Sequence, residues 1–380
     1  MAARSVHGAV EVVREGFECA GGGRIVAEGV VIAVIDAEQR CRMRAKGDLD
    51  DMSGAQSRNL DEVGPAAHFF SRNDFFHGHD NGVARPGSET FGPVELVVDD
   101  FFLRSYAYAL DDYSGMKIVD GMATPVGYVP PHMIVSDLMQ IFLTVYDRDK
   151  VVGLHQKEEV IHYKPVPVGA KLTLTGTYTD KYMKRGKGYT VLESIARDEQ
   201  GDTVILQRST EVMRIPEGIK VGTGSAEPDR RVTPRELHAP RAETITAGTP
   251  VGTSLRTMTK QVRQAQMSVF TGAEFHKQGI HTNLVIARRA GLRDCIAQGM
   301  MESCWASQYL SALFGETFLS TGRHFSTYLT PIYPKDVITI EGAVTSSEPD
   351  EGGRRVEVEY WLTNQDGQTT AVGYGSALVG

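Results

Sequence analysis

The fold is decided by residues 164–176, KPVPVGAKLTLTG, because the chain repeats their pattern at residues 330–342, TPIYPKDVITIEG. The two stretches align without a gap and share the same order of proline, apolar and polar residues. Each begins with prolines and continues into an alternation of apolar and polar residues, in which Leu172 and Leu174 take one side. Such alternation predicts a β-strand with one buried face and one solvated face. We therefore infer that the chain contains an internal repeat.

The repeat extends in both directions from this strand. Downstream, residues 198–202 and 364–368 lie at the same offset, between β-rich runs, and both indicate hairpin turns. Upstream, residues 129–143 and 296–310 carry apolar residues at helical spacing, with an offset that differs by one residue. Each half is thus predicted to be a helix followed by antiparallel strands. This pattern favours an α+β fold in which a sheet wraps a helix, with two copies packed sheet edge to sheet edge as a pseudo-dimer.

The repeat predicts where the chain divides. We assign residues 91–216 to the N-terminal repeat and residues 254–380 to the C-terminal repeat. Residues 217–253 between them are rich in Gly, Pro, Ala and charged residues, which is typical of a linker. Residues 1–90 do not fit the repeat, and we interpret them as an N-terminal extension with a hairpin in residues 24–49.

The composition excludes several classes of function. The chain has 380 residues, of which 41% are hydrophobic, and its formal net charge is −8. This balance is ordinary for a globular protein and offers no basic field for nucleic acid. No run approaches the ~18 apolar residues that span a bilayer, and the N-terminus lacks an apolar signal segment. Four scattered cysteines form no zinc or disulfide pattern. We therefore predict a cytoplasmic protein that uses no membrane, nucleic acid or metal.

The densest group of chemically capable side chains opens the C-terminal repeat, at residues 268–283, SVFTGAEFHKQGIHTN. Together with the following helix start, it resembles the MaoC-like family of (R)-specific enoyl-CoA hydratases and dehydratases. The family signature runs Ser-Gly-Asp-x-Asn-Pro-(Ile/Leu)-His, then Ala, Gly-Phe and Ile-(Ala/Val)-His-Gly-Met. The matching residues are Ile280, His281, Ala287, Gly291, Ile296, Ala297, Gly299 and Met300. The resemblance covers roughly residues 95–380 and implies a double hotdog fold with a degenerate N-terminal half.

The chain departs from the family signature at the residues that hold water. The family Asp, five residues before the His, is His276 here, and the Asn-Pro pair is Gln278-Gly279. The His before the Gly of the second motif is Gln298. One carboxylate, Glu274, lies two residues before His276. The acid/base pair would therefore be His281 with His276, or His281 with Glu274.

Hydration of an enoyl thioester explains why these residue types matter. The reaction needs a base for water, a proton donor at the α-carbon and hydrogen bonds to the developing enolate oxygen. His281 can transfer protons at neutral pH, since the ordinary pKa of histidine is about 6.5. Gly299 would present a first-turn N–H, which has no partner within its helix, as an oxyanion donor. We add Gln278, Gly279 and Met300 as substrate contacts.

Each assignment has a structural alternative. His281 could cap the next helix together with Thr282 and Asn283. Met300 stands at helical spacing with other apolar residues, which is typical of a core. In the N-terminal repeat, Asp111 and Asp112 occupy the place of the family motif without a histidine in that motif. We therefore expect this half to supply the tunnel for the acyl chain.

The resemblance implies a hydratase or dehydratase acting on a thioester of coenzyme A or of an acyl carrier protein, in fatty acid or polyketide metabolism, without a cofactor. A homodimer is the candidate assembly. Two other hypotheses remain open. One is a hotdog thioesterase or a lyase with an altered site. The other is a non-catalytic subunit that binds acyl thioesters.

Overall fold

The structure is a computed structural model, which describes residues 89–119, 122–146, 153–213, 221–222, 230–271 and 279–380. The predicted hairpin in residues 24–49 lies outside this part of the chain. Both repeats belong to one compact unit. Within the described residues, the helices are too short or too polar to cross a membrane.

Each repeat contributes one set of helices and one set of strands. The elements of the N-terminal repeat are β1 (Thr90–Val97), α1 (Asp100–Leu110), β2 (Met116–Val119), β3 (Met122–Pro125), a 3₁₀ turn (Pro131–Ile134), α2 (Val135–Met139), a second 3₁₀ turn (Gln140–Thr144), β4 (Leu154–His162), β5 (Lys171–Lys184), β6 (Lys187–Arg197) and β7 (Thr203–Val212). The elements of the C-terminal repeat are β8 (Met258–Gln261), α3 (Gln264–Phe270), α4 (Leu284–Arg289), α5 (Gly299–Phe314), a 3₁₀ turn (Gly315–Thr317), α6 (Phe318–Thr321), β9 (Arg323–Tyr328), β10 (Val337–Asp350), β11 (Gly353–Thr363) and β12 (Thr369–Val379).

Among the described residues, one ten-stranded antiparallel sheet runs through both repeats. Its strand order is β1-β5-β6-β7-β4-β9-β12-β11-β10-β8, so β4 and β9 join the two repeats. Across this junction Glu158 pairs with Ser326 and Val160 with His324. The predicted α+β architecture, with two sheet-and-helix repeats joined edge to edge, is confirmed.

The hairpin turns show that the repeat offset is correct. Gly186 closes the β5–β6 turn with a φ of +74°, and Gly352 closes the β10–β11 turn with a φ of +86°. A residue with a side chain is strained at such angles, whereas glycine is not. A glycine is therefore needed at the corresponding turn position of each repeat.

The central helices of the two repeats differ. Helix α5 is a continuous helix of 16 residues, most of them buried. Its counterpart in the N-terminal repeat is broken into a five-residue helix, α2, between two 3₁₀ turns. The prediction of one continuous helix over residues 129–143 is therefore wrong. Branching at the β-carbons of Val135, Ile141 and Thr144 lowers their helix propensity, which is consistent with the break.

The C-terminal end of α1 is held by groups from the second repeat. Lys260 Nζ donates to the carbonyls of Leu110 at 3.0 Å and Asp111 at 2.7 Å. Trp305 Nε1 also donates to Leu110 O, at 3.1 Å. The last carbonyls of a helix have no partner within the helix, so these donors satisfy them and fasten one repeat to the other.

Candidate active site

The segment that carries His281 is fixed by its neighbours on both sides. Gln264, at the start of α3, donates from Nε2 to the His281 carbonyl at 2.8 Å. On the other side, Asn283 Oδ1 accepts from Val285 N at 2.9 Å and from Ile286 N at 3.2 Å. Helix α4 is therefore capped by the Asn283 side chain. The His281 ring makes no such bond and is directed elsewhere.

The His281 ring is bound to the backbone just before α5. Its Nδ1 lies 2.7 Å from the carbonyl oxygen of Ile296. A carbonyl only accepts, so Nδ1 carries the proton and the neutral ring presents Nε2 as a base. Burial lowers the pKa of His281 below its ordinary 6.5, although the Ile296 carbonyl opposes this change. The ring is thus neutral at pH 7 and able to accept a proton.

Helix α5 begins at Gly299, three residues after the carbonyl that holds His281. The N-cap residue Gln298 makes no side-chain hydrogen bond to the first turn. A β-carbon added to Gly299 would lie 2.9 Å from the Tyr328 ring. Glycine is therefore required because an aromatic ring packs on its Cα. The first-turn N–H groups point out of the helix start, where an anionic oxygen would be stabilised.

The structure describes four of the seven predicted site residues. Gly279 is half-buried, and its N–H donates to Thr282 Oγ1 at 3.1 Å. Met300 is 3% exposed, with its Sδ 3.9 Å from Gln207 Nε2, so it packs in the core beside a buried amide. His281 and Gly299 flank the Ile296 carbonyl as given above. The other three, His276, Glu274 and Gln278, lie outside the described residues, and their roles stay predictions.

The sequence analysis missed a buried carboxyl beside the start of α5. Glu158 on β4 is completely buried and accepts from Tyr328 Oη at 2.8 Å and from Gln207 Nε2 at 2.6 Å. Burial raises its pKa to about 7, against the effect of these donors. Since the Tyr328 ring also packs on Gly299, this network braces the helix start. The signal lay in the alternation of β4, which places Glu158 on the same face as the buried Val160.

A second buried pair lies in the N-terminal repeat. His132 Nε2 is 2.8 Å from Asp112 Oδ2, and each residue is 1% exposed. Burial acts to raise the pKa of Asp112, but the hydrogen bond and charge of His132 outweigh it and lower that pKa below its ordinary range. Allowing for the one-residue difference in offset, His132 stands where Gly299 stands in the other repeat. The N-terminal counterpart of the site is therefore filled by an Asp–His pair.

In the described part of the chain, no three histidine, cysteine, aspartate or glutamate side chains are grouped as a metal site would need. The chemistry available from these residues is proton transfer at His281 and anion stabilisation at the start of α5.

The architecture defines a double hotdog protein, and solved structures share it. A MaoC-like dehydratase superposes with a TM-score of 0.58 and 18% identity, over 78% of this chain and 99% of that chain. A putative MaoC domain protein dehydratase from Chloroflexus aurantiacus has a TM-score of 0.57 and 13% identity, over 80% of this chain and 98% of that chain. A conserved hypothetical protein from Mycobacterium tuberculosis with a double hotdog fold has a TM-score of 0.51 and 12% identity, over 78% of this chain and 96% of that chain.

The C-terminal repeat also matches a known family in sequence. Residues 246–365 match the family model of the MaoC like domain. The chain therefore carries a MaoC-like domain in its C-terminal repeat, and the predicted resemblance is confirmed there. No curated protein matches the chain in sequence.

Proposed function

We propose that the protein is a hydratase or dehydratase that adds water to an enoyl thioester or removes it from a 3-hydroxyacyl thioester. The observation that carries this proposal is the bond between His281 Nδ1 and the Ile296 carbonyl, 2.7 Å long. It orients a neutral base next to a helix start that can hold an oxyanion. The matched MaoC-like domain and the dehydratases that share the fold support the same reaction class.

In the hydration direction, His281 Nε2 takes a proton from water as its oxygen bonds to the β-carbon. The π electrons of the double bond move to the thioester oxygen, which accepts a hydrogen bond from the Gly299 N–H. A proton then returns to the α-carbon and the enolate collapses. We propose His276 or Glu274 as the partner acid, with Gln278, Gly279 and Met300 as substrate contacts.

We further propose that the two repeats have different roles. Residues 254–380 would carry the reaction and residues 91–216 the acyl tunnel, with 217–253 as linker and 1–90 as an extension. The substrate would be a thioester of coenzyme A or of an acyl carrier protein in a cytoplasmic pathway.

The test follows the absorbance of a panel of trans-2-enoyl-CoA thioesters with wild-type protein and with His281→Asn. Asparagine keeps an amide donor for the Ile296 carbonyl but has no basic nitrogen. We expect the rate to fall by about 10²- to 10⁴-fold, the usual contribution of a general base. His238→Ala is the matched control, because this histidine is exposed.

The pH profile of kcat/KM gives a second measurement. Because burial lowers the pKa of His281, the acid limb should lie below pH 6.5 and disappear in His281→Asn. Release of free thiol without hydration would instead support a thioesterase. Thioester binding without turnover, unchanged in His281→Asn, would support a non-catalytic binding subunit.

A further inference from the structure

The inner face of the sheet is polar along β6, β7 and β4 of the N-terminal repeat and across the junction onto β9, where a core is expected to be apolar. Nine side chains on this face form what we call the inner polar patch, and each is at most 8% exposed. They lie on β4, β7, β6 and β9: His155, Glu158, Gln207, Ser209, Glu211, Thr190, Ser194, His324 and Ser326.

The strand register makes the patch continuous. Glu211 pairs with His155 on one side and with Thr190 on the other. One row along, Ser209 pairs with Glu158, which in turn pairs with Ser326 across the junction. In the third row, Gln207 pairs with Ser194, and His324 follows on the far side of Val160. Directly paired residues of antiparallel strands share a face, so these side chains are neighbours.

The C-terminal repeat provides an internal comparison. At the repeat offset, Glu211 corresponds to Ala377, Ser209 to Gly375 and Gln207 to Gly373; Thr190 corresponds to Val356 and Ser194 to Tyr360. Glycine is required there because α5 and neighbouring groups press on the sheet: a β-carbon on Gly375 would lie 2.5 Å from Leu310 Cδ1. In the N-terminal repeat the helix is broken, and longer polar side chains stand in the same places.

Several of these polar atoms have no partner within the described part of the chain. They are His155 Nδ1, Ser194 Oγ, Gln207 Oε1, Glu211 Oε2 and His324 Nδ1. A buried polar atom left without a hydrogen bond destabilises the fold, so a group of them in one place indicates that something else supplies the bonds.

The patch adjoins the candidate active site. Glu158 accepts from Tyr328, whose ring packs on Gly299, and Gln207 contacts Met300. Resting on the proposed function, we infer that the acyl group of the thioester extends over the inner polar patch and carries a neutral oxygen, a hydroxyl or a ketone, that hydrogen-bonds there.

The side chains of the patch explain why the oxygen on the acyl group is expected to be uncharged. The patch has no lysine or arginine to pair with an anionic tail. Burial raises the pKa of Glu211 to about 7 and lowers that of His155 to about 4. Near pH 7 the patch therefore combines an uncharged imidazole with two carboxyls, those of Glu158 and Glu211, that are protonated about half of the time. Such groups can donate to a ketone oxygen and can both donate to and accept from a hydroxyl. A carboxylate on the acyl tail would instead be repelled by Glu158 and Glu211 as they ionise.

The experiment compares two series of thioesters of equal chain length, one ending in methyl and the other in hydroxyl. Saturated members give Kd by calorimetry, and trans-2-enoyl members give kcat/KM. A site built to hydrogen-bond a hydroxyl rejects the analogue that lacks it, so we expect the hydroxyl series to be favoured by about tenfold or more in both measurements, at the chain length that reaches the patch.

Two variants remove polar atoms from the patch, Ser194→Ala and Glu211→Met, and each should bring the hydroxyl-to-methyl ratio close to one. The matched control is Thr210→Val, which removes a hydroxyl from the other face of β7 and should leave the ratio unchanged.

Equal binding of the two series, or tighter binding of the methyl series, overturns the inference. If the hydroxyl series binds more tightly but neither series is hydrated, the proposed function fails and the polar contact stands. If both are hydrated with a preference for methyl, the proposed function stands and this inference fails.

Discussion

Replacing Glu211 by Gln should stabilise the protein by an amount that grows with pH. Glu211 is 3% exposed, and its carboxyl lies 2.9 Å from the position of a β-carbon on Gly153. It faces His155 and Thr190 in register, and Tyr178 interacts with it from β5. Burial alone raises the pKa of Glu211 from its ordinary 4.5 to about 7.

The sign and size of the effect follow from proton linkage. Below pH 4.5 the carboxyl is protonated in both the folded and the unfolded chain. Between pH 4.5 and about 7 only the unfolded chain releases the proton, so the free energy of unfolding falls as the pH rises. One pKa unit corresponds to about 1.4 kcal/mol, so the total loss is on the order of 3 kcal/mol. Gln stays neutral in both states and avoids this loss.

The assay is urea unfolding of wild type and Glu211→Gln at a series of pH values from 4.5 to 8. The difference in free energy of unfolding should rise by ~3 kcal/mol across this range. Glu158 and Glu302 are buried in both proteins and cancel from the difference. Glu316 is exposed, and Glu316→Gln is the control, for which no such rise is expected. A difference for Glu211→Gln that stays flat with pH would refute the reasoning.

Three further substitutions test the packing around the site. Gly299→Ala should lower both turnover and the melting temperature, because its β-carbon meets the Tyr328 ring at 2.9 Å and such overpacking costs about 1–3 kcal/mol. Lys260→Met should lower the free energy of unfolding by about 1–3 kcal/mol, because the Asp111 carbonyl loses its Lys260 donor and the Leu110 carbonyl keeps only that of Trp305. Asp112→Asn should lower it by about 3–5 kcal/mol, since it breaks a buried pair with His132. Enoyl thioester turnover and thermal and urea unfolding give these values.

Each of these has a matched control substitution of the same residue type. Gly248→Ala places a β-carbon 3.9 Å from Thr246 Oγ1, an ordinary contact. Lys171→Met changes an exposed lysine, and Asp111→Asn changes an exposed carboxylate at a left-handed position that asparagine tolerates. An effect of equal size in variant and control would contradict the packing argument at that site.

Period-two alternation and a constant offset were enough to predict β5, β6 and β7 with their counterparts β10, β11 and β12, together with the hairpin turns and the edge-to-edge packing of the repeats. They did not predict β4 and β9, the two strands that form this junction. The offset works because Gly186 and Gly352 meet the same backbone requirement in each copy. The break in the first central helix was not predictable in this way. Apolar spacing reports which face is buried, but over four or five residues it does not distinguish an α-helix from the 3₁₀ turns that flank α2.

The motif pointed to His281 and Gly299 but not to the groups that hold them. The Ile296 carbonyl has no side-chain signature, and Tyr328 comes from a strand that follows α5 in the chain. Glu158 and His132 belong to the other repeat and contact the region only after folding. A local pattern cannot indicate a partner that tertiary packing supplies, which is why the second buried pair was missed as well.

The pairing of β4 with β9 makes the two repeats one cooperative unit. These strands lie at the middle of the ten-stranded sheet. Separating the repeats would therefore break the backbone hydrogen bonds that join β4 to β9. Amide hydrogens along Val160 and Phe325 should therefore exchange with solvent only through global opening, among the slowest in the protein. A fragment holding the C-terminal repeat alone would expose β9 as an unpaired edge strand, which is prone to pair with another copy of the fragment.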